Sequence, residues 1–314
     1  MSTVANSPPR RVLLATDFSA ASRAAFQAAR VLCLSFQADL YILNVFEYAN
    51  AHPPESGMLL ELDSFYQDAE QSLDDLIQEA RRSDIKCEGK IGSGTSHSTI
   101  LEIAETEHID VIVLGTRSIH GFERLVFGST AEAVLRTATC SVFTVGPRAA
   151  SQKPGEEACA GAVVFATDFH DTTTEALEIA GSFCSSMNLS LHCLHVLPRG
   201  VEDNFHKGII PVIITEALLH LAGTVESKVG PPVCAVTYGS EISSAVVDYA
   251  RANKARLIVL GVRRASLAAS HIPAHIAYRI IAEAPCPVLT VAFPLGHNPR
   301  ILLKACESLH AVHT

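Results

Sequence analysis

At 314 residues the chain is longer than one ordinary domain and suits two of about 150 residues each. An apolar fraction of 48%, with Gly and Pro together near a tenth, excludes a disordered chain. A formal net charge of −9 without any Lys/Arg cluster argues against nucleic acid or an anionic membrane as the main partner, and no run reaches the ~18 apolar residues of a membrane helix, so a soluble, cytoplasmic protein is expected.

From the N-terminal side, Arg11 to Thr16 is an apolar run of strand length, and Ser19 is the expected N-cap of an Ala-rich helix reaching about Ser35. Leu40 to Val45 is a second strand. From Leu59 to Arg82, Leu62, Phe65, Tyr66, Ala69, Leu73 and Leu76 form one apolar stripe at helical spacing. Ile85 to Ile91, Val111 to Gly115 and Ser141 to Val145 supply three more strands, with helices at about 96–107 and 129–137. The polar stretch 149–161 carries Pro-Gly and suits a linker. After it the order returns, with strands near 162–167, 190–196, 232–238, 256–261 and 287–292 and helices near 172–186, 210–228, 241–253 and 274–283. The tail after Phe293 is an appendage with a short helix expected near 300–309.

Strands alternating with helices pair in parallel through right-handed crossovers and are covered on both faces. The predicted fold is therefore α/β: two tandem doubly wound, five-stranded parallel-sheet domains at 10–147 and 160–293, followed by a tail at 294–314. Direct repeats support the duplication. VLLATDFS (12–19) returns as VVFATDFH (163–170), setting Asp17 against Asp168 at an offset of 151. DVIVLGTR (110–117) returns as RLIVLGVR (256–263), and ATCSVFTV (138–145) as APCPVLTV (284–291), both at an offset of 146.

Ligands of an open parallel sheet bind beyond the carboxyl ends of its strands, where strand order reverses. That directs attention to the loop after the fourth strand, from Gly115 to Thr130. Gly115 and Gly128 would let backbone approach a phosphate, the helix opening at Gly128 would offer free N–H groups, and Ser129 and Thr130 would add hydroxyls. The plainer alternatives are a strand end at Gly115, a tight turn at Gly128, a helix cap at Ser129 and an Asx turn at Asp17. Other constellations are weaker. The stretch 92–98, GSGTSHS, lacks a Walker lysine. His271 and His275 are separated by Pro273, strand alternation puts His192 and His195 on opposite faces, and no metal site is expected. Nine cysteines without a C-x-x-C pair, most within apolar runs, suit reduced thiols. No catalytic constellation is apparent.

The combination of T-D-F-S after the first strand, L-G-T-R after the fourth, G-S-T opening the last helix and a final strand C-x-V-x-x-V resembles the universal stress protein family, over about 10–147 and more loosely 160–293. The resemblance implies the adenine nucleotide alpha-hydrolase-like fold and a stress-response role. In ATP-binding members the signature is Gly, two residues, Gly, nine residues, Gly, then Ser or Thr. Gly115, Gly128 and Ser129 match it, while Ser118 stands at the middle glycine. The resemblance implies that Ala15, Asp17 and Val45 border adenine and that Gly115, Gly128, Ser129 and Thr130 hold ribose and phosphates, to which we add Arg117 as a nearby positive charge. In the second copy Gly261 survives, but Arg264, Ala274, His275 and Ile276 replace Ser118, Gly128, Ser129 and Thr130, so no nucleotide is expected there and Asp168 is structural. The leading expectation is a stress-response protein binding ATP or another adenine nucleotide in its first domain, the second being a pseudo-partner. A slow ATPase and a ligand-free interaction module are the alternatives. Family members pair through their last strands, so intramolecular pairing of 142–145 with 288–291 and further homodimerisation are also expectations.

Overall fold

The computed structural model describes residues 8–47, 56–116, 128–151, 161–169, 173–199, 209–263 and 274–293. The expected tail helix, Arg117, Ser118, Arg264, His271 and Pro273 lie outside them. The chain divides into two compact units, Pro9–Ala150 and a second built from Ser151 onward.

In the first unit β1 (Arg11–Ala15), α1 (Ala20–Phe36), β2 (Asp39–Phe46), α2 (Ser56–Arg81), β3 (Cys87–Ser93), α3 (Ser96–Thr106), β4 (Val111–Gly115), α4 (Ser129–Thr137) and β5 (Ser141–Val145) are followed by one helical turn, α5 (Pro147–Ala150). The strands run in the order β3-β2-β1-β4-β5. Every pairing along it is parallel. Strand order reverses between β1 and β4. Because β4 is enclosed on both faces, its residues are apolar without alternation, and Val111 to Leu114 are all buried. Leu13, Leu43, Ile112 and Leu114 face Ile100 and Ala104 of α3 and Ala131 and Val134 of α4.

The second unit repeats this with β6 (Ala162–Ala166), α6 (Thr173–Met187), β7 (Ser190–Pro198), α7 (Ile209–Ala222), α8 (Glu226–Val229), β8 (Val233–Gly239), α9 (Ile242–Ala252), β9 (Ala255–Arg263), α10 (Ala274–Glu283) and β10 (Val288–Phe293). Its order is β10-β9-β6-β7-β8, again parallel throughout. The repeat extends to single dihedrals. Phe18 and Phe169 both have φ of 60°, Gln37 and Asn188 have 54° and 53°, and His108 and Lys254 both have 50°. Gln37 and Asn188 occupy the left-handed position that ends a helix, and the next residue closes back on it, Ala38 N–H to Cys33 O at 3.0 Å and Leu189 N–H to Cys184 O at 3.0 Å.

Two expected elements differ. The third strand starts at Cys87, not Ile85, because Asp84 adopts φ of 58° and Ile85 N–H bonds to Ala80 O, which makes Ile85 the closing residue of α2. The helix expected over 210–228 stops at Ala222, where Thr224 Oγ1 donates to Leu221 O at 2.8 Å, and resumes only as the four-residue α8.

Candidate functional site

The carboxyl end of β1 turns sharply into α1, and its geometry is set by Thr16. The Phe18 N–H donates to Thr16 Oγ1 at 3.0 Å, and that hydroxyl donates to Ser22 Oγ at 3.1 Å. Asp17 Oδ1 accepts from Ser19 N–H at 3.0 Å, the Asx turn that the sequence left open beside a ligand role. Ser19 caps α1 as expected, its Oγ accepting from Ser22 N–H at 3.3 Å. Asn44 of β2 ties the corner to the sheet by donating to Thr16 O at 2.8 Å. Copy two builds the same corner: Phe169 N–H donates to Thr167 Oγ1 at 2.9 Å, and His195 takes the part of Asn44, with Nδ1 2.8 Å from Thr167 O. Since a carbonyl only accepts, Nδ1 carries the proton. Asp168 sits in this corner with partners of its own.

Gly115 ends β4 against the first turn of α1. A Cβ built there would lie 2.2 Å from Ala21 O and 2.8 Å from Ser22 N. The helix and the strand therefore meet backbone to backbone, and glycine is demanded by packing, whatever else the residue does. Gly128 is different. It is the N-cap of α4, with φ of −62° and ψ of 135°, and a Cβ there would meet nothing within 4 Å among the described residues. The cap is Gly128 itself and not Ser129, and it brings no side-chain cap to the first turn of α4. Gly128 and Ser129 are exposed, and Thr130 is partly so. Glu132 in the same first turn pairs with Arg136 at 3.7 Å.

Ala15 and Val45, at the ends of β1 and β2, are partly buried against the cluster that α3 and α4 cover. Six of the expected site residues, Ala15, Val45, Gly115, Gly128, Ser129 and Thr130, thus stand at the carboxyl ends of β1, β2 and β4 or at the start of α4. Asp17 is at the same end but is held in its turn. The sequence did not single out Thr116. Its N–H continues the ladder to Val145 O at 3.0 Å, so alternation points its side chain to the face shared by Leu114, α3 and α4. Thr116 is 5% exposed and its Oγ1 has no hydrogen-bond partner among the described residues. A buried hydroxyl without a partner costs on the order of 1–3 kcal/mol, which a ligand oxygen would recover. The signal was present in the sequence as the third residue of L-G-T-R against Val262 in the repeat, L-G-V-R.

The glycine-rich stretch 92–98 is held by the end of β2, Gly94 N–H donating to Phe46 O at 3.0 Å. Gly94 adopts φ of 124°, and the first turn of α3 is filled by Glu47, whose Oε1 accepts from Ser96 N–H at 2.7 Å. Hydrogen bonding to Ser96 holds the Glu47 carboxyl below its usual range. His192 Nδ1 lies 3.0 Å from the Tyr249 hydroxyl, His195 is bound to Thr167, and among the described residues no three His, Cys, Asp or Glu side chains gather as a metal site. A solvent-open depression lined by Tyr66, Leu73, Ile77, Gly89 and Lys90 lies between α2 and β3, on the outer side of the unit and away from Gly115 and Gly128.

The sequence model of the universal stress protein family matches residues 9–146 and 161–292. The chain belongs to the universal stress protein family. It carries the family's domain twice. A universal stress protein of Methanocaldococcus jannaschii is 28% identical over 138 residues, covering 43% of this chain and 81% of the relative. Universal stress protein A homolog 1 of Coxiella burnetii is 29% identical over 140 residues, covering 43% and 95%. The crystal structure of a universal stress protein from Archaeoglobus fulgidus superimposes with a TM-score of 0.69 at 21% identity, covering 90% of this chain and 98% of that one, a likeness of fold.

In this tandem family member the two copies diverge at the end of the fourth strand of each unit. β4 ends at Gly115, with one further ladder bond from Thr116 N–H to Val145 O. In copy two β9 continues, with Val262 paired to Ala292 and Arg263 to Phe293. Val262 replaces Thr116, and Ala274, His275 and Ile276 open α10 where Gly128, Ser129 and Thr130 open α4.

Proposed function

We propose that the protein is a stress-response protein whose first domain binds ATP or a related adenine nucleotide and whose second domain keeps the fold without the ligand. The observation that carries this reading is a buried Thr116 hydroxyl without a partner among the described residues, together with an α4 whose N-cap Gly128 brings no side-chain cap and has open space among the described residues, both at the point where strand order reverses. Ala15 and Val45 would supply the apolar border for a base. Gly128, Ser129 and Thr130, with Thr116, would donate to ribose or phosphate oxygens, and Arg117 would add positive charge. Glu132 opposes an anion at the same helix end, and its pairing with Arg136 reduces that opposition. Copy two has Val262 for the hydroxyl and Ala274 for the glycine.

Hydrolysis has less support: Asp17, the carboxylate at the β1 corner that could position water, has its Oδ1 committed to the Ser19 N–H. Equilibrium dialysis of ATP against the intact protein and its Thr116→Val variant tests the reading. Binding by the parent, weakened about tenfold by the loss of one hydroxyl donor to a charged oxygen, is expected. Absence of binding by the parent at millimolar ATP sinks the nucleotide reading in favour of an interaction module. Release of phosphate by the bound protein would establish the ATPase.

A further inference from the structure

β7 and β8 carry a pair of cysteines in direct register, Cys193 opposite Cys234. Residues in register on parallel strands project to the same face, with strands about 4.8 Å apart, inside the ~4.4–6.8 Å separation of Cα atoms that a disulfide spans. Cys193 is fully buried, whereas Cys234 is only half-buried and sits on β8, the outermost strand of its unit. An edge strand, held on one side alone, adjusts to a new covalent bond more readily than a central one.

We propose that Cys193 and Cys234 form a peroxide-responsive thiol pair, in which Cys234 is the attacking thiol and Cys193 the resolving one. The roles follow from placement: a small hydroperoxide reaches the half-buried sulfur on the edge strand, and the enclosed sulfur beside it waits for the product. Electrostatics agree. The hydrogen bond with Cys193, against the opposing effect of burial, draws the Cys234 pKa below the ordinary thiol value, while the same contact and burial push Cys193 up. Burial, against a smaller opposing backbone hydrogen bond, pushes Cys184, on the neighbouring α6, up to about 12, which keeps it a thiol.

The chemistry balances with the peroxide as oxidant. The Cys234 thiolate attacks one peroxide oxygen and the O–O bond breaks. An alcohol or water leaves with the proton that Cys234 gave up, so sulfur loses two electrons and the peroxide gains two. The Cys193 sulfur then attacks the Cys234 sulfenic acid, the S–O bond breaks, and water leaves carrying the Cys193 proton. The product is one disulfide joining β7 to β8, reversible by an external thiol.

The test is treatment of the full chain with a small excess of hydrogen peroxide, followed by intact mass and peptide mapping without reduction. The expected result is loss of the mass of two hydrogen atoms, restored by dithiothreitol, with a peptide bridging Cys193 and Cys234. Cys234→Ser should abolish that loss, and Cys193→Ser should leave a Cys234 sulfenic acid that dimedone traps. The proposal is overturned if the parent protein yields no such bridge, if the bridge maps to Cys184 or another cysteine, or if Cys234→Ser still loses the two hydrogens. Mapping of the parent needs no variant to fold.

Discussion

A methyl group at Gly115 would lie 2.2 Å from the Ala21 carbonyl oxygen, and one at Gly128 would touch nothing among the described residues. These two glycines share a motif in the sequence but answer to different forces. Gly115→Ala should cost roughly 3 kcal/mol, since backbone and not a yielding side chain must move, and a urea melt within about 0.5 kcal/mol of the parent would refute the packing account. Gly128→Asp should leave stability within about 0.5 kcal/mol, because Asp is a favoured N-cap in this extended conformation, while its carboxylate takes the N–H groups that a phosphate would need. At the β1 corner, Asn44→Ala strands the Thr16 carbonyl and should cost about 2 kcal/mol, with Asn44→His milder because copy two already uses His195 there. Chemical denaturation of the two variants side by side checks this. Equal losses would show that the imidazole cannot serve in copy one.

At the level of elements, α1 is fastened to α2 through one carboxylate. Glu79 accepts from Gln27 Nε2 at 3.1 Å, from Arg30 at 2.9 Å and from Arg23. Burial pushes its carboxyl up, but the hydrogen bonds from Gln27 and Arg23 and the charges of Arg23 and Arg30 prevail and hold it below the usual range. Its contribution is therefore present above the ordinary carboxylate pKa and lost as acid protonates it. Glu79→Gln should lower stability at neutral pH by about 1 kcal/mol and leave a smaller difference near pH 3. An equal difference at both values would remove the charge from the explanation. The strand and helix order was legible in the sequence because enclosed parallel strands such as VIVLG and surface helices such as α2 have different apolar periods. What escaped was tertiary: Ile85 has strand chemistry but closes a helix, and Gly115 is fixed by a helix that lies about a hundred residues away in sequence. Of the site, the glycines and hydroxyls of the α4 start could be read. The isolation of the Thr116 hydroxyl could not, since only the folded sheet buries it without a partner.

Over the whole molecule, duplication preserved the scaffold and let the chemistry drift. Copy two holds its corner with a histidine, and burial holds the folded His195 pKa below its ordinary value against smaller opposing pulls from the Thr167 carbonyl and Asp168. Burial lowers His192 as well. The unfolded chain takes up protons near pH 6.5 that the folded chain resists, so stability present above that pH is lost as pH falls below it. His195→Asn, which restores the residue of copy one, should flatten the decline in stability between about pH 7 and 5, and an unchanged slope would exclude His195 as its source. The same drift, from Thr116 to Val262 and from Gly128 to Ala274, underlies the central claim that one copy binds nucleotide and the other does not. Calorimetric titration of ATP into the intact protein and its Gly128→Asp variant tests that claim most directly. One ATP per chain is expected for the parent and none for the variant; two per chain, none for the parent, or undiminished binding by Gly128→Asp would contradict nucleotide binding by the first copy alone.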